Sequence, residues 1–568
     1  MSELLKIVSS QYKHLPGRQE DFIDPRTISR GSMLKNEPFS FQALYRAKRD
    51  TFCLAVSVAA ETELPIKAWR VDCVALTHAS SSADGKEYES TKPGIYPDIL
   101  TPRPASPEII SISTAWGYDA YFEKDVDALL NATGNDYQSV WFTVNPDSAE
   151  LKAGEYKIRV TLTSLASNTL LEEEILTISI IDEALPDNDT YYTNWFHVDC
   201  VCDAFGVKLY SNAFYKVFDE YIKNMTAHRQ NTLLLPAFTP PLDTAVGAER
   251  MNVQLVEIEK AEGGWSFGFE KMRRFIRHAK KFGIKYFEHC HLFSQWGAKN
   301  TPNIYDKNGT RIFGFDSDAT GDDYVGFIRA YLTEFMKFAK KEGIDKSLVF
   351  HVSDEPKANQ LESYRAAHNA VADLLDGNPI CDAMFDCSFY EAGLVDAPIL
   401  YVSHLKDYDK EKCPSIWVYY TGGGSNTSNR KISNTASATR VIGLQMYKYE
   451  AKGFLHWAYN FYYDRLSFGF ANPAVSPNAY KMFPGITQLA YPVLGKGKNT
   501  VFPSIREKLM GEAIDDLRAL KLLESKIGRE ATLKLCEDRL GEITATNIPS
   551  GEALRLLREE VNEMIANN

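Results

Sequence analysis

Eight short apolar runs, separated by segments of helical periodicity, constrain what this chain can fold into more than any other feature. They are WFHVDCV at 195–201, TLLLPAF at 232–238, KYFEHCHLF at 285–293, LVFHVSDEP at 348–356, ICDAMFD at 380–386, PILYVSH at 398–404, SIWVYYT at 415–421 and GFLHWAYNF at 453–461. Runs that stay apolar without strict alternation suit strands buried on both faces, the condition of a parallel sheet covered by crossover helices. Between them stand FEKMRRFIRHAKKFG at 269–283 and YVGFIRAYLTEFMKFAKKEG at 324–343. The second closes on Lys340, Lys341 and a glycine, as a helix C-terminus does. Eight strands with crossover helices predict a (β/α)8 TIM-like barrel over residues 188–503. The fifth and sixth crossovers are short and irregular.

Upstream the grammar differs. FSFQALYRA at 39–47, TFCLAVSVAA at 51–60, YKIRVTLTS at 156–164 and ILTISIID at 175–182 alternate with period two, which predicts an antiparallel β-sandwich over 1–187. Within it, PGIYPDILTPRPASPE at 93–108 reads as a long surface loop, and the turn cluster ALPDNDT at 184–190 ends the region. From 504 to 568, amphipathic segments with apolar spacings of three and four predict a C-terminal helical appendage. The fold class expected is therefore multidomain: sandwich, barrel, helices.

Charge narrows the partners. With 63 Lys+Arg against 75 Asp+Glu the net charge is −12 and no basic block occurs, which argues against nucleic acid or an anionic membrane as partner. Glu3 and Lys6 interrupt the N-terminal apolar stretch, so it does not read as a secretory signal, and no later run reaches the roughly 18 apolar residues of a membrane span. Nine scattered cysteines suit free thiols in a reducing compartment. A cytoplasmic location without membrane insertion is the expectation.

In a barrel of this kind the chemistry gathers at the carboxyl ends of the strands. The fourth run ends in Ser353, Asp354, Glu355 and Pro356. Two adjacent carboxylates closing a buried strand repel each other, and the crowding favours keeping one protonated, as a general acid requires. The alternative is an Asp/Glu pair satisfied by backbone amides at a helix N-terminus. Aromatic and amide residues end other runs: Phe293, Ser294, Gln295 and Trp296 after the third, Trp417, Tyr419 and Tyr420 in the seventh, Trp457, Tyr459 and Asn460 in the eighth. Aromatic faces beside carboxylates suit a pyranose, whose C–H faces stack while its hydroxyls seek fixed partners.

Metal chemistry is the competing reading. Glu288, His289 and His291 share one run, and His197 and Asp199 another; His-x-His on a strand points both imidazoles to one side. No His-Glu-x-x-His helix, paired CxxC or GxSxG elbow accompanies them. No metal and no cofactor are expected.

SDEP at 353–356, TPPLDT at 239–244 followed by Glu249-Arg250 and QLV at 254–256, HLFSQWGA at 291–298, SNR at 428–430 and GFLHWAYNFY at 453–462 together resemble glycoside hydrolase family 123. These are β-N-acetylgalactosaminidases within a superfamily of bacterial barrel proteins. The resemblance covers about 190 to 520 and implies retaining hydrolysis assisted by the substrate's 2-acetamido group, an exception to the two-carboxylate scheme. Carried over, Glu355 is the general acid and base, and Asp354 orients and polarises the acetamido N–H. Tyr420 is the candidate to bond the acetamido oxygen, Trp457 the sugar platform, and Asn460, His291, Trp296 and Arg430 further hydroxyl or loop contacts. His456 and Ala458 depart from the small or aromatic residues expected beside the eighth strand. The implied substrate is a glycan or glycosphingolipid oligosaccharide ending in β-GalNAc. A β-N-acetylhexosaminidase of other amino-sugar preference, a non-catalytic carbohydrate-binding protein, and a metal-dependent hydrolase using His289 and His291 are the alternatives.

Overall fold

The structure is a computed structural model. It describes residues 4–17, 26–46, 55–80, 85, 87–102, 110–113, 119–122, 130–131, 136–164, 167–240, 244, 250–294, 297–423, 426–479, 484–495 and 499–568.

The period-two segments form two five-stranded sheets. One runs in the order Leu5–Ser9, Phe39–Tyr45, Gln138–Val144, Ile66–Leu76, Gly94–Pro102; the other in the order Arg30–Leu34, Thr169–Ile181, Gly154–Ser164, Ala55–Glu61, Leu130–Asn131. Neighbours are antiparallel except Arg30–Leu34 beside Thr169–Ile181. Alternation puts Phe41, Ala43, Val140 and Phe142 of the first sheet against Ile158, Val160, Leu176 and Ile178 of the second in one core, as side chains of period two must.

The Pro-rich stretch departs from expectation. Gly94–Pro102 is a strand paired with Ile66–Leu76, not a loop, and 103–108 lie outside the described residues. It lies at the sheet edge, where a proline lacking its N–H is tolerated. The register slips between Asp72 and Cys73, leaving Asp98 without a cross-strand partner. Asp98 is fully buried and takes both Nε and Nη2 of Arg506 at 2.8 Å, together with the Tyr491 hydroxyl. The bulge thus ties the N-terminal sheets to the C-terminal helix, and removing one partner of such a buried pair costs roughly 3–5 kcal/mol.

Eight parallel strands follow: β1 (Tyr191–Asn194), β2 (Thr232–Leu235), β3 (Tyr286–His289), β4 (Leu348–Val349), β5 (Ala383–Met384), β6 (Ile399–Tyr401), β7 (Trp417–Tyr419) and β8 (Gly453–His456). One sheet runs β1-β8-β7-β6-β5 and another β2-β3-β4. A parallel bridge between Phe350 and Ile380 joins the ends of β4 and β5. At the other seam, Asn231 Oδ1 accepts the Tyr192 N–H at 3.0 Å, and the Asn231 N–H donates to the Tyr192 carbonyl at 3.2 Å. Helices lie between successive strands. Asp322–Glu342 buries Tyr324, Phe327, Ile328, Tyr331 and Phe335 at spacings of three and four and stops where Gly343 turns left-handed at φ 64°, a conformation glycine adopts without a Cβ penalty.

The first strand begins earlier than its apolar run suggests. Residues 195–201 are not β1: Val198–Phe205 is a helix with Val198 to Cys202 buried, and that continuous burial explains why the run resembled a strand. His197 and Asp199 therefore share no strand.

The C-terminal helices are part of the same body. Ile505–Ile527 is capped by Ser504, whose Oγ accepts the Glu507 N–H, and it packs Met510, Ala513, Ile514 and Leu517 against Val418, Tyr420 and Phe454. It crosses Ile442–Lys448 so closely that a Cβ on Gly443 would collide with the Ala513 carbonyl. The eight described cysteines are all free thiols. Among the described residues no helix is long and apolar enough to cross a membrane.

Candidate active site

Past β4 the chain is held by side chains rather than by a strand ladder. Asp382 Oδ2 accepts the N–H groups of Val352 and Ser353 at 3.0 and 3.1 Å and the Tyr364 hydroxyl at 2.6 Å. The Ser353 hydroxyl donates to the Ser294 carbonyl at 2.7 Å and accepts the N–H groups of Gly297 and Ala298. Asp354 and Glu355 follow, both half-buried. The Glu355 N–H donates to the Ala383 carbonyl at 3.1 Å, and its backbone is left-handed at φ 43°. For a non-glycine residue that conformation costs roughly 1–3 kcal/mol and is sustained only where surrounding contacts hold it. Here the strain lies at the carboxylate pair itself.

Tyr419, the last residue of β7, donates its hydroxyl to Glu355 Oε1 at 2.8 Å. Burial and then the Glu355 charge push this phenol far above its ordinary pKa, so it remains a protonated donor. Tyr401, at the end of β6, packs edge-on to Tyr419 at 5.2 Å.

Beneath the pair lies a buried ionic cluster that sequence reasoning did not assemble. Glu288 on β3 accepts from the Thr193 hydroxyl, from Trp195 Nε1 at 3.0 Å and from His351 Nε2 at 3.0 Å. His351 Nδ1 lies 3.3 Å from Asp382 Oδ1. Burial pulls the His351 pKa down, but Asp382 and Glu288 outweigh it and push it up to about 10; this histidine is an imidazolium at neutral pH. The available signal was a charged residue inside each of three apolar runs, Glu288, His351 and Asp382, since such charges persist in a core only when paired.

His291 is buried with its ring 5.0 Å from His351 and 5.5 Å from Trp195. Burial and then the neighbouring imidazolium lower its pKa to about 3. His291, His351 and Asp382 bring one ligand atom each within 4.8 Å of one another. His351 Nε2 is bonded to Glu288, whereas His351 Nδ1 and Asp382 Oδ1, 3.3 Å apart, make no hydrogen bond. The metal reading's other member is elsewhere: His289 meets the Cys290 carbonyl at 2.6 Å and the Tyr331 hydroxyl at 2.8 Å, on the helix side of β3. His289 and His291 do not share a face because the strand ends at His289.

Other expected contacts are relocated. Tyr420 is fully buried, with its hydroxyl 3.3 Å from Met510 Sδ and its ring against Phe454. Successive residues of a strand face opposite sides, so Tyr419 meets the carboxylate while Tyr420 meets the C-terminal helix. Arg430 is no loop contact either: fully buried, it donates to Asn194 Oδ1, to His456 Nδ1 at 2.7 Å and to the Ala458 carbonyl, lacing the ends of β1 and β8. Asn460, also fully buried, accepts the His197 N–H at 2.8 Å and donates to the His197 carbonyl at 3.0 Å. Both residues build the floor rather than face a ligand.

Trp457 is half-buried just past β8, its carbonyl 2.9 Å from His197 Nε2 and its ring edge-on to Phe461 at 5.2 Å. His197 is set in turn by Arg250, which grips Asp199 through two contacts of 2.8 Å and reaches His197 Nδ1 at 3.1 Å. Gln295, Trp296 and Glu249 lie outside the described residues.

A half-buried carboxylate pair past β4 and a protonated phenol from the end of β7 on one of its members match the equipment for polarising a sugar bond. The family model for the glycoside hydrolase 123 catalytic domain matches residues 195–523. The chain belongs to glycoside hydrolase family 123. Among solved structures, the chain is similar to a family 123 glycoside hydrolase from Clostridium perfringens, a structure described in terms of glycolipid glycan hydrolysis. Identity is 14%, the TM-score 0.71, and the likeness covers 99% of this chain and 97% of that one. A family 39 glycoside hydrolase from Bacteroides cellulosilyticus is far more distant, with 10% identity and a TM-score of 0.34 over 86% of this chain and 82% of that one. No curated protein matches significantly in sequence. The family match spans β2 to β8 and enters Ile505–Ile527, so the candidate site residues and most of the first C-terminal helix of this family 123 chain fall within one matched unit.

Proposed function

We propose that this family 123 enzyme is a retaining exo-β-N-acetylgalactosaminidase, releasing terminal β-GalNAc from glycans or glycosphingolipid oligosaccharides through the substrate's own acetamido group. The eight parallel strands, stitched at both seams by the Phe350–Ile380 bridge and by Asn231, support a (β/α)8 barrel with its site at the carboxyl ends. The observation that carries the reading is the adjacency of Asp354 and Glu355 just past β4, with Glu355 hydrogen-bonded by Tyr419.

Neighbouring carboxylates at one strand end can address neighbouring groups of one sugar. Glu355 donates its proton to the departing glycosidic oxygen as the C1–O bond breaks. Asp354 accepts the acetamido N–H, so the acetamido carbonyl oxygen attacks C1 and closes an oxazolinium-type ring. Glu355, now a carboxylate, takes a proton from water, whose oxygen opens that ring at C1 and restores the starting configuration. No protein nucleophile is needed, and the negative charge of Asp354 offsets the positive charge that develops. Tyr419, not Tyr420, presents its hydroxyl to the carboxylate pair, while Tyr420, expected to bond the acetamido oxygen, faces Met510; Trp457 supplies the apolar platform. The described substrates of the C. perfringens relative favour a glycolipid glycan as the natural source.

The test is release of sugar from aryl β-GalNAc, β-GlcNAc and β-galactoside substrates by the wild type and by Asp354→Asn. Cleavage of the 2-acetamido sugars alone, best for β-GalNAc and lost in the variant, is the expected result. Cleavage of the plain galactoside would overturn the assisted mechanism. A preference for β-GlcNAc would shift the substrate, and binding without any product would leave a carbohydrate-binding protein.

A further inference from the structure

Three successive strands, β5, β6 and β7, each end in an aromatic side chain on the side of the carboxylate pair. Tyr419 of β7 bonds Glu355; Tyr401 of β6 packs edge-on to it at 5.2 Å; His404, three residues further, lies 6.0 Å from Tyr401; and Phe385, just past β5, lies 6.1 Å from His404. Neighbouring strands are about 4.8 Å apart, so rings at three consecutive strand ends form a continuous row. Exposure rises along it: Tyr419 is buried, Tyr401 and His404 are half-buried, and Phe385 is 41% exposed.

The row is held in place. His404 Nδ1 donates to the Phe385 carbonyl at 2.6 Å, which pins the two residues together and leaves Nε2 to meet a hydroxyl. The Tyr401 hydroxyl donates to the Gly423 carbonyl at 2.6 Å. A large apolar ring held exposed beside polar partners is a binding surface more readily than a packing defect. A general acid stands at the leaving oxygen, so a surface that begins at Glu355 and runs outward over β5 to β7 faces the leaving group. Trp457, over β8, occupies the other arc of strand ends.

We propose that Tyr401, His404 and Phe385 form a leaving-group subsite that stacks the apolar faces of the sugars beyond the scissile bond, making an extended glycan, rather than a simple glycoside, the preferred substrate. This rests on the hydrolase reading above, with Glu355 as the acid. The ligand is a neutral oligosaccharide of at least two sugar units on the leaving side, because beyond Glu355 the row itself is made of rings with hydrogen-bonding edges.

The experiment measures kcat/KM for a β-GalNAc-capped trisaccharide relative to methyl β-GalNAc, in the wild type, in Phe385→Ala and in the remote control Leu170→Ala, whose side chain is also exposed. The expected result is a ratio lowered about fivefold or more in Phe385→Ala, through KM, and unchanged in the control. A ratio equal to that of the wild type overturns the subsite. If the wild type cleaves neither substrate, the hydrolase reading fails, and the subsite is judged by saturation-transfer NMR with the two-sugar leaving fragment alone. Transfer seen in the wild type and lost in Phe385→Ala upholds it; transfer absent from the wild type, or equal in both, overturns it.

Discussion

Two sets of carboxylates lie one above the other at the ends of β3, β4 and β5, and they have opposite fates. Glu288 and Asp382 are fully buried, and each lies against His351 while backbone or side-chain donors take its other oxygen. Asp354 and Glu355 are half-buried on a strained turn, and Glu355 is met by one phenol. The lower set holds the floor because every charge is matched. The upper set is suited to chemistry because its groups remain within reach of a ligand. Residue type does not separate the two; burial does.

The sharpest test of this division is Glu355→Gln, expected to lower kcat about 10³-fold on poor leaving groups, with far less effect on activated aryl glycosides that need little acid assistance. Stability should be nearly unchanged; equal loss on both substrate types would break the assignment. In the lower set, His351→Ala is expected to cost roughly 3–5 kcal/mol by stranding two buried carboxylates, read as a fall in the denaturant midpoint. An unaltered midpoint would mean that the cluster holds nothing. Of the two adjacent tyrosines, Tyr419→Phe should lower kcat/KM roughly tenfold through loss of a charge-assisted hydrogen bond, whereas Tyr420→Phe should leave kinetics alone. The reverse outcome would mean that the strand parity is misread.

The buried cluster also predicts a pH dependence of stability. His351 has its folded-state pKa raised to about 10, above the unfolded value of about 6.5. Its stabilising contribution is therefore complete below about pH 6.5 and is lost as pH rises toward the folded value. Between pH 7 and 10 the denaturant midpoint of the wild type should fall more steeply than that of His351→Gln. Parallel slopes would place the proton elsewhere.

Much of the architecture was legible because it is periodic. Alternation marked the N-terminal sheets, and continuous apolar runs marked the parallel strands. The misreadings occurred where two structures share one pattern. Residues 195–201 resemble a buried strand because Val198 to Cys202 are buried without a break at the start of Val198–Phe205, and 93–108 reads as a loop because prolines are rare in strands, although the edge strand Gly94–Pro102 accepts them.

The amino-acid sequence by itself determined that a carboxylate pair, Asp354 and Glu355, would close a buried strand and that aromatic residues would cluster at other strand ends, since both are local facts about consecutive residues. Only the tertiary structure decided which of those aromatics meet the carboxylates. Tyr420, Arg430 and Asn460 turned inward, Tyr419 met Glu355, and Glu288 of β3, His351 past β4 and Asp382 before β5 came together. The reason is physical: a side chain's direction follows from strand parity, but whether that direction leads to solvent, to a ligand or to another helix depends on what the remainder of the chain packs there.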